Sequence, residues 1–158
     1  MSDIQNSQKN EQTRYLRFSL GAEEYAIPLL NVKEVIARTQ TTPVPHTPSY
    51  FLGLMNLRGQ IISVIDLGKK LGIKPRESFE TVFIICELGE ISLGVMVDSV
   101  NSVLTPDQSQ ISTKPDVETG IHPDFITGIY HKDSKLVLFL DVVKALSVED
   151  QLTAQKAV

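Results

Sequence analysis

Apolar residues in this chain fall in short runs of about four to eight, rich in Val, Ile and Phe and stopped by Gly, Pro, Asn or Asp. Runs of that length and punctuation predict strands rather than helices. The clearest cover residues 16–20, 24–28, 61–65, 81–87, 92–97 and 135–140. Turn signals at Gly21-Ala22, Arg58-Gly59 and Gly89-Glu90 separate them. Evenly spaced short strands predict an all-β chain with short helices, built as small closed or nearly closed barrels. Residues 29–38 are ambiguous. Leu29, Val32, Val35 and Ile36 fit a helical face, but a short turn followed by a bent or bulged edge strand over Val32-Lys33-Glu34-Val35 suits the same pattern better. The stretch 41–48 carries Pro43, Pro45 and Pro48, which have no N–H to give a ladder. It is expected to run as an extended surface connection.

The pattern is also written twice. Residues 47–71 align without a gap on residues 122–146, with Pro48/Pro123, Gly53/Gly128, Asp66/Asp141, Lys69/Lys144 and Leu71/Leu146 identical. Five identities in twenty-five positions exceed the roughly one or two expected at ordinary composition. A looser upstream match sets Phe18-Ser19-Leu20-Gly21 against Cys86-Glu87-Leu88-Gly89. Each copy reads as strand, tight turn, strand, connection, strand, hairpin, strand and short helix, a duplication of one structural unit. The boundaries expected are a disordered tail over 1–13, a globular region over 14–147 with halves at 14–72 and 79–147, and a tail or short helix over 148–158. Asp66 and Asp141 each follow a main strand and precede a Lys by three residues, the spacing of an N-cap on a single helical turn.

Charge narrows the function. Fifteen Lys and Arg stand against nineteen Asp and Glu, a net of −4, and the longest basic run is Lys69-Lys70. A nucleic-acid binder needs a clustered positive face, so that class is disfavoured. The single Cys86, within an apolar run, permits no internal disulfide and suits a reducing cytoplasm. No apolar stretch approaches the ~20 residues of a membrane-spanning helix, and no secretory leader is expected.

Catalytic chemistry finds little support. The chain has no Gly-rich phosphate loop, no nucleophile-elbow pattern, no Cys-x-x-Cys and no His-Glu-x-x-His. His46 and His122 lie in proline-flanked connections, and His131 is expected at a hairpin tip; none has a partner at metal-ligand spacing. No metal site and no cofactor are expected. A small enzyme using one of these histidines is the competing class, testable by triple His→Ala substitution.

The copies differ most at the hairpin before the last strand: Met55-Asn56-Leu57-Arg58-Gly59-Gln60 in one, Tyr130-His131-Lys132-Asp133-Ser134-Lys135 in the other. Leu57 is apolar where a turn is usually polar. Arg58 offers a planar guanidinium for a carboxylate, and Gly59 the freedom a tight turn needs. Glu34, which has no acidic counterpart in the second copy, is the expected partner of Arg58 and would tie two loops of the first barrel together.

These residues carry a resemblance. Gly53-Leu54-Met55-Asn56-Leu57-Arg58-Gly59-Gln60-Ile61-Ile62-Ser63-Val64-Ile65-Asp66-Leu67 is similar to the signature of the CheW-like domain of bacterial chemotaxis. Tyr25-Ala26-Ile27-Pro28, Val32-Lys33-Glu34-Val35 and Gly94-Val95-Met96-Val97-Asp98-Ser99-Val100 resemble further motifs of that family in the right order. The resemblance covers about residues 14–147. It implies two SH3-like five-stranded barrels packed on a shared hydrophobic core. It further implies a stand-alone, non-enzymatic adaptor, cytoplasmic and recruited to membrane receptor arrays. Such an adaptor couples the cytoplasmic tips of methyl-accepting chemoreceptors to the regulatory domain of the histidine kinase CheA, without direct membrane insertion. By position, Val32, Glu34, Arg58 and Val82 are the implied receptor-groove residues, with Asn56, Leu57 and Gly59 shaping the hairpin. Ser63 stands where the family often has proline, and only a local change is expected there. A paralogous adaptor serving pilus motility is the alternative within the family.

Overall fold

Side chains alternate across a strand, so the alternation decides which residues each strand buries. The computed structural model describes residues 13–76, 80–113, 123–132 and 134–146. The expectations for the two tails concern residues almost wholly outside that set. In chain order the first half gives β1 (Tyr15–Leu20), β2 (Glu23–Pro28), β3 (Val32–Ala37), β4 (Phe51–Leu57), β5 (Gln60–Asp66) and the one-turn helix α1 (Leu67–Lys70). The second gives β6 (Val82–Leu88), β7 (Ile91–Val97), β8 (Ser99–Leu104), the short β9 (Ile111–Ser112), β10 (Ile126–Lys132), β11 (Lys135–Leu140) and α2 (Val142–Ala145). The ambiguous stretch resolves into a 3-10 turn over Leu29–Asn31 followed by β3. The proline-rich connection stays irregular except at Thr42, which pairs with Leu54.

The strands form two sheets, ordered β8-β1-β2-β11-β10-β9 and β3-β6-β7-β5-β4. Each sheet mixes the halves. The β1–β2 hairpin of the first copy completes the sheet of the second, and β6–β7 completes that of the first. Parallel pairs make both junctions: β5 runs beside β7 with Val64 opposite Gly94, and β11 beside β2 with Phe139 opposite Ala26. These registers coincide under the repeat, and so do the irregularities. A bulge between Val32 and Glu34 against β6 matches the one that β8 makes against β1, where Val100 faces Phe18 and Ser102 faces Arg17. Another between Phe51 and Gly53 matches one between Ile126 and Gly128. The structure thus contains two barrels that have exchanged their first hairpins, one of five strands as expected and one of six, because the two-residue β9 adds a strand at its edge; a barrel is not the same thing as a repeat.

Burial follows the pleat. The largest core cluster draws on both sheets and includes Phe18, Tyr25, Ile65, Ile84, Leu93, Leu138 and Leu140, with Leu67 and Val142 from the two helices and Leu146 just after the second. Opposite faces carry smaller clusters: Met55, Ile62, Val64, Phe83 and Ile85 in one barrel, and Ala26, Leu104, Tyr130, Val137 and Phe139 in the other. The bulge in β3 has a purpose visible here. Val32 and Ile36 are four residues apart and would share a face in a regular strand, but one extra residue between them flips the alternation. Val32 therefore packs on the shared core and Ile36 on the first barrel's own cluster. Asp66 and Asp141 cap their helices as expected, each accepting from the backbone N–H three residues on at 3.1 Å. Ser63 lies buried in β5, and its hydroxyl finds no partner among the described residues.

Candidate functional site

The hairpin that distinguishes the first copy is a two-residue turn. Leu57 pairs with Gln60, and the two central residues, Arg58 (φ 53) and Gly59 (φ 85), both lie in the left-handed region. Such turns match the twist of the strands they join, but they favour Asn-Gly or Gly-Gly, because a side chain there is crowded. Asn56 offsets some of that cost by accepting the Gly59 N–H on its Oδ1 at 2.8 Å. Leu57 is not a turn residue at all. It ends β4 and packs beside Ile36 on the first barrel's cluster, which explains an apolar residue so close to the tip.

Arg58 meets Glu34. Its two terminal nitrogens donate to the two carboxylate oxygens at 3.2 and 2.9 Å, a bidentate pair. Glu34 sits on β3, one edge of the sheet, while Arg58 extends from the hairpin at the opposite edge. The ion pair therefore spans the gap between the two edge strands and clasps the barrel's rim, rather than tying two loops as expected. The Glu34 side chain is 22% exposed and that of Arg58 73%, so the guanidinium keeps a face open to solvent.

The other residues singled out by sequence divide. Val32 is half-buried on the shared core and pairs with Cys86, close to Glu34 along β3. Val82 opens β6 opposite Ala37, at the far end of the same ladder from Val32. It is also half-buried against the shared core. Sequence reasoning missed Val35. Its register partner Ile84 faces the shared core, as Cys86 does opposite Val32, so Val32, Val35 and Val82 lie on one face of the edge ladder. Val35 is 40% exposed, as is Val103 (47%) on the other barrel's edge strand β8. The Val32-Lys33-Glu34-Val35 pattern suits a bent or bulged strand, and the structure places the bulge between Val32 and Glu34, which sets the facing of Val35. His131 is a correction: it lies within β10, paired with Leu136, and not at the tip. His46 is exposed in a turn, and His122 lies outside the described residues. Among the described residues no group of His, Cys, Asp or Glu could hold a metal ion. Cys86 is buried, and that burial pushes its thiol up to about 12.

The architecture defines a class: paired SH3-like barrels, related by internal duplication, with an ion-paired rim on one of them. Residues 14–150 match the family model of the CheW-like domain, and the chain belongs to that family. It is 34% identical over 139 residues to the chemotaxis protein CheW of Klebsiella aerogenes, covering 86% of this chain and 82% of that one. With CheW of Bacillus subtilis it shares 33% identity over 142 residues, 89% of each chain. The crystal structure of the scaffolding protein TtCheW from Thermoanaerobacter tengcongensis is 34% identical, with a TM-score of 0.79 over 88% of this chain and 90% of that one.

Proposed function

We propose that this protein, a chemotaxis coupling adaptor of the CheW family, joins the cytoplasmic tips of chemoreceptors to the regulatory domain of the histidine kinase CheA. It acts as a non-enzymatic scaffold. One observation carries the reading: a solvent-facing guanidinium, aligned by Glu34, borders an edge ladder whose face bears Val32, Val35 and Val82. An amphipathic helix binds by laying an apolar stripe in a groove and satisfying a charged group at its border. The receptor tip supplies such a helix, with Val32 and Val35 under its apolar face and Arg58 reading a polar group beside it. Asn56, Leu57 and Gly59 hold the hairpin in shape, and Val82 extends the stripe. The kinase's regulatory domain takes the barrel ends away from this rim. Contacts of modest strength suffice, because an array repeats them many times. No helix among the described residues is long and apolar enough to cross a membrane.

The test is charge reversal. Arg58→Glu faces Glu34 with a like charge at the rim. Receptor-stimulated CheA autophosphorylation should fall at least several-fold, while circular dichroism and thermal unfolding stay close to wild type. Full kinase stimulation by this variant would remove the site assignment.

A further inference from the structure

On the first barrel's other flank a groove of about 540 Å³ opens between α1, the start of β6 and the β1–β2 turn. Arg38, Lys69, Lys74 and Arg76 line it over a partly apolar floor that includes Leu20 and Met96. Among the described residues outside the groove, Arg17 pairs with Glu24, Lys33 with Glu87 and Arg58 with Glu34, and Lys70 lies over the Tyr50 ring, whereas Arg14, Lys135 and Lys144 form no ion pair. The four in the groove form no ion pair among the described residues. The two carboxylates beside them are already engaged by backbone donors. Asp66 Oδ1 accepts the Lys69 N–H at 3.1 Å, and Asp98 Oδ2 the Gly21 N–H at 2.7 Å. A chain of net charge −4 thus gathers four cations and two carboxylates in one concavity, a local balance of +2, with no ion pair formed by the four among the described residues.

The loop bearing Lys74 and Arg76 is held in place. Ile73 donates its N–H to the Gly68 carbonyl at 2.8 Å. Gly21 lets the loop lie directly on the β1–β2 turn, since a Cβ there would stand 2.8 Å from both Ile73 Cγ2 and the Lys74 carbonyl oxygen. These contacts fix the loop's backbone at Ile73 and Lys74, while Arg38, Lys69, Lys74 and Arg76 are exposed along the groove. Arg presents a planar fork suited to bidentate phosphate binding, and Lys a compact point charge. The volume falls within the roughly 300–1,000 Å³ of small-molecule sites.

We propose that this groove binds a free phosphate-bearing small molecule of about nucleotide size. Sodium pyrophosphate and sodium ATP, without divalent cations, are the probes, read by titration calorimetry and by amide chemical shifts on the full chain. The proposal expects saturable one-to-one binding of at least one probe, weakening as salt rises, with shifts centred on Gly21, Gly68 and Lys74. Lys74→Glu with Arg76→Glu should weaken it at least about tenfold, the loss of charge-assisted contacts. Lys144→Glu, an exposed charge outside the groove, should leave it unchanged. The wild-type shift map decides the matter even if the double variant folds poorly. No saturable binding of either probe at millimolar concentration, shifts mapping elsewhere, or capture only by phosphatidylglycerol vesicles would overturn the proposal.

Discussion

Gly53 and Gly128 occupy the same position of the repeat, yet replacing them with alanine should have different consequences. Gly53 has φ 132, a conformation that L side chains rarely adopt. An added Cβ would stand 2.3 Å from the Thr42 carbonyl oxygen and 2.6 Å from its carbon, both backbone atoms. That same oxygen accepts the Leu54 N–H at 2.9 Å, while the Thr42 N–H donates to Leu54 at 2.8 Å. The methyl group would therefore push away the connection that this bridge pins to β4. Positive φ costs roughly 1–2 kcal/mol, and a lost bridge bond about 1 kcal/mol more. Gly53→Ala should cost about 3 kcal/mol in all. At Gly128 the nearest contact is the Ile111 Cγ2 methyl at 2.8 Å, a branch fixed to Cβ that yields by a small shift of the two-residue edge strand β9 and not by side-chain rotation. Gly128→Ala should cost roughly 1 kcal/mol. For a chain of this length each kcal/mol moves the midpoint by about 2–4 °C, so the two variants should melt roughly 4–8 °C apart, Gly53→Ala lower. Urea and thermal unfolding, compared at equal m-values, measure this. Equal losses, or a larger loss at Gly128, would refute the reasoning.

Three further predictions concern other parts of the fold. Arg58→Ala and Glu34→Ala should each cost under ~1 kcal/mol in urea unfolding, because the guanidinium is largely exposed and water screens the pair; losses above ~2 kcal/mol would make the clasp a structural element instead. Asp66→Ala and Asp141→Ala remove equivalent caps and should each cost about 1 kcal/mol by the same assay, and a silent substitution at either would contradict the capping geometry. Burial raises the Cys86 thiol from 9.0 to about 12, so the folded state keeps a proton that the unfolded chain loses. Stability from this group is complete below about pH 9 and is lost as pH climbs toward 12, by up to ~1.4 kcal/mol per unit. Cys86→Ala should flatten that alkaline decline, and an unchanged slope would count against it.

Local features were legible in the sequence because local chemistry dictates them. The strands follow from short apolar runs, the two caps from Asp placed three residues before Lys, and the turn from Arg58-Gly59. The Glu34–Arg58 pair could be anticipated because one copy has both charges where the other lacks the acid. The hairpin exchange could not. It depends on parallel pairs such as Ile65 with Val95, whose residues would serve equally well in other pairings. The facing of Val35 was legible only in part: the Val32-Lys33-Glu34-Val35 pattern suits a bent or bulged strand, but residue types do not fix which residue is the extra one, and so which face Val35 takes. Leu57 is anomalous as a turn residue, but as the last residue of β4 it packs, partly buried, against the first barrel's cluster.

Co-purification of this chain with a chemoreceptor cytoplasmic tip and the CheA regulatory domain tests the coupling role most directly. Wild type should recover all three in one complex, whereas Arg58→Glu should retain the kinase domain and lose the receptor. Failure of wild type to bridge them, or full receptor recovery by the variant, would contradict the account.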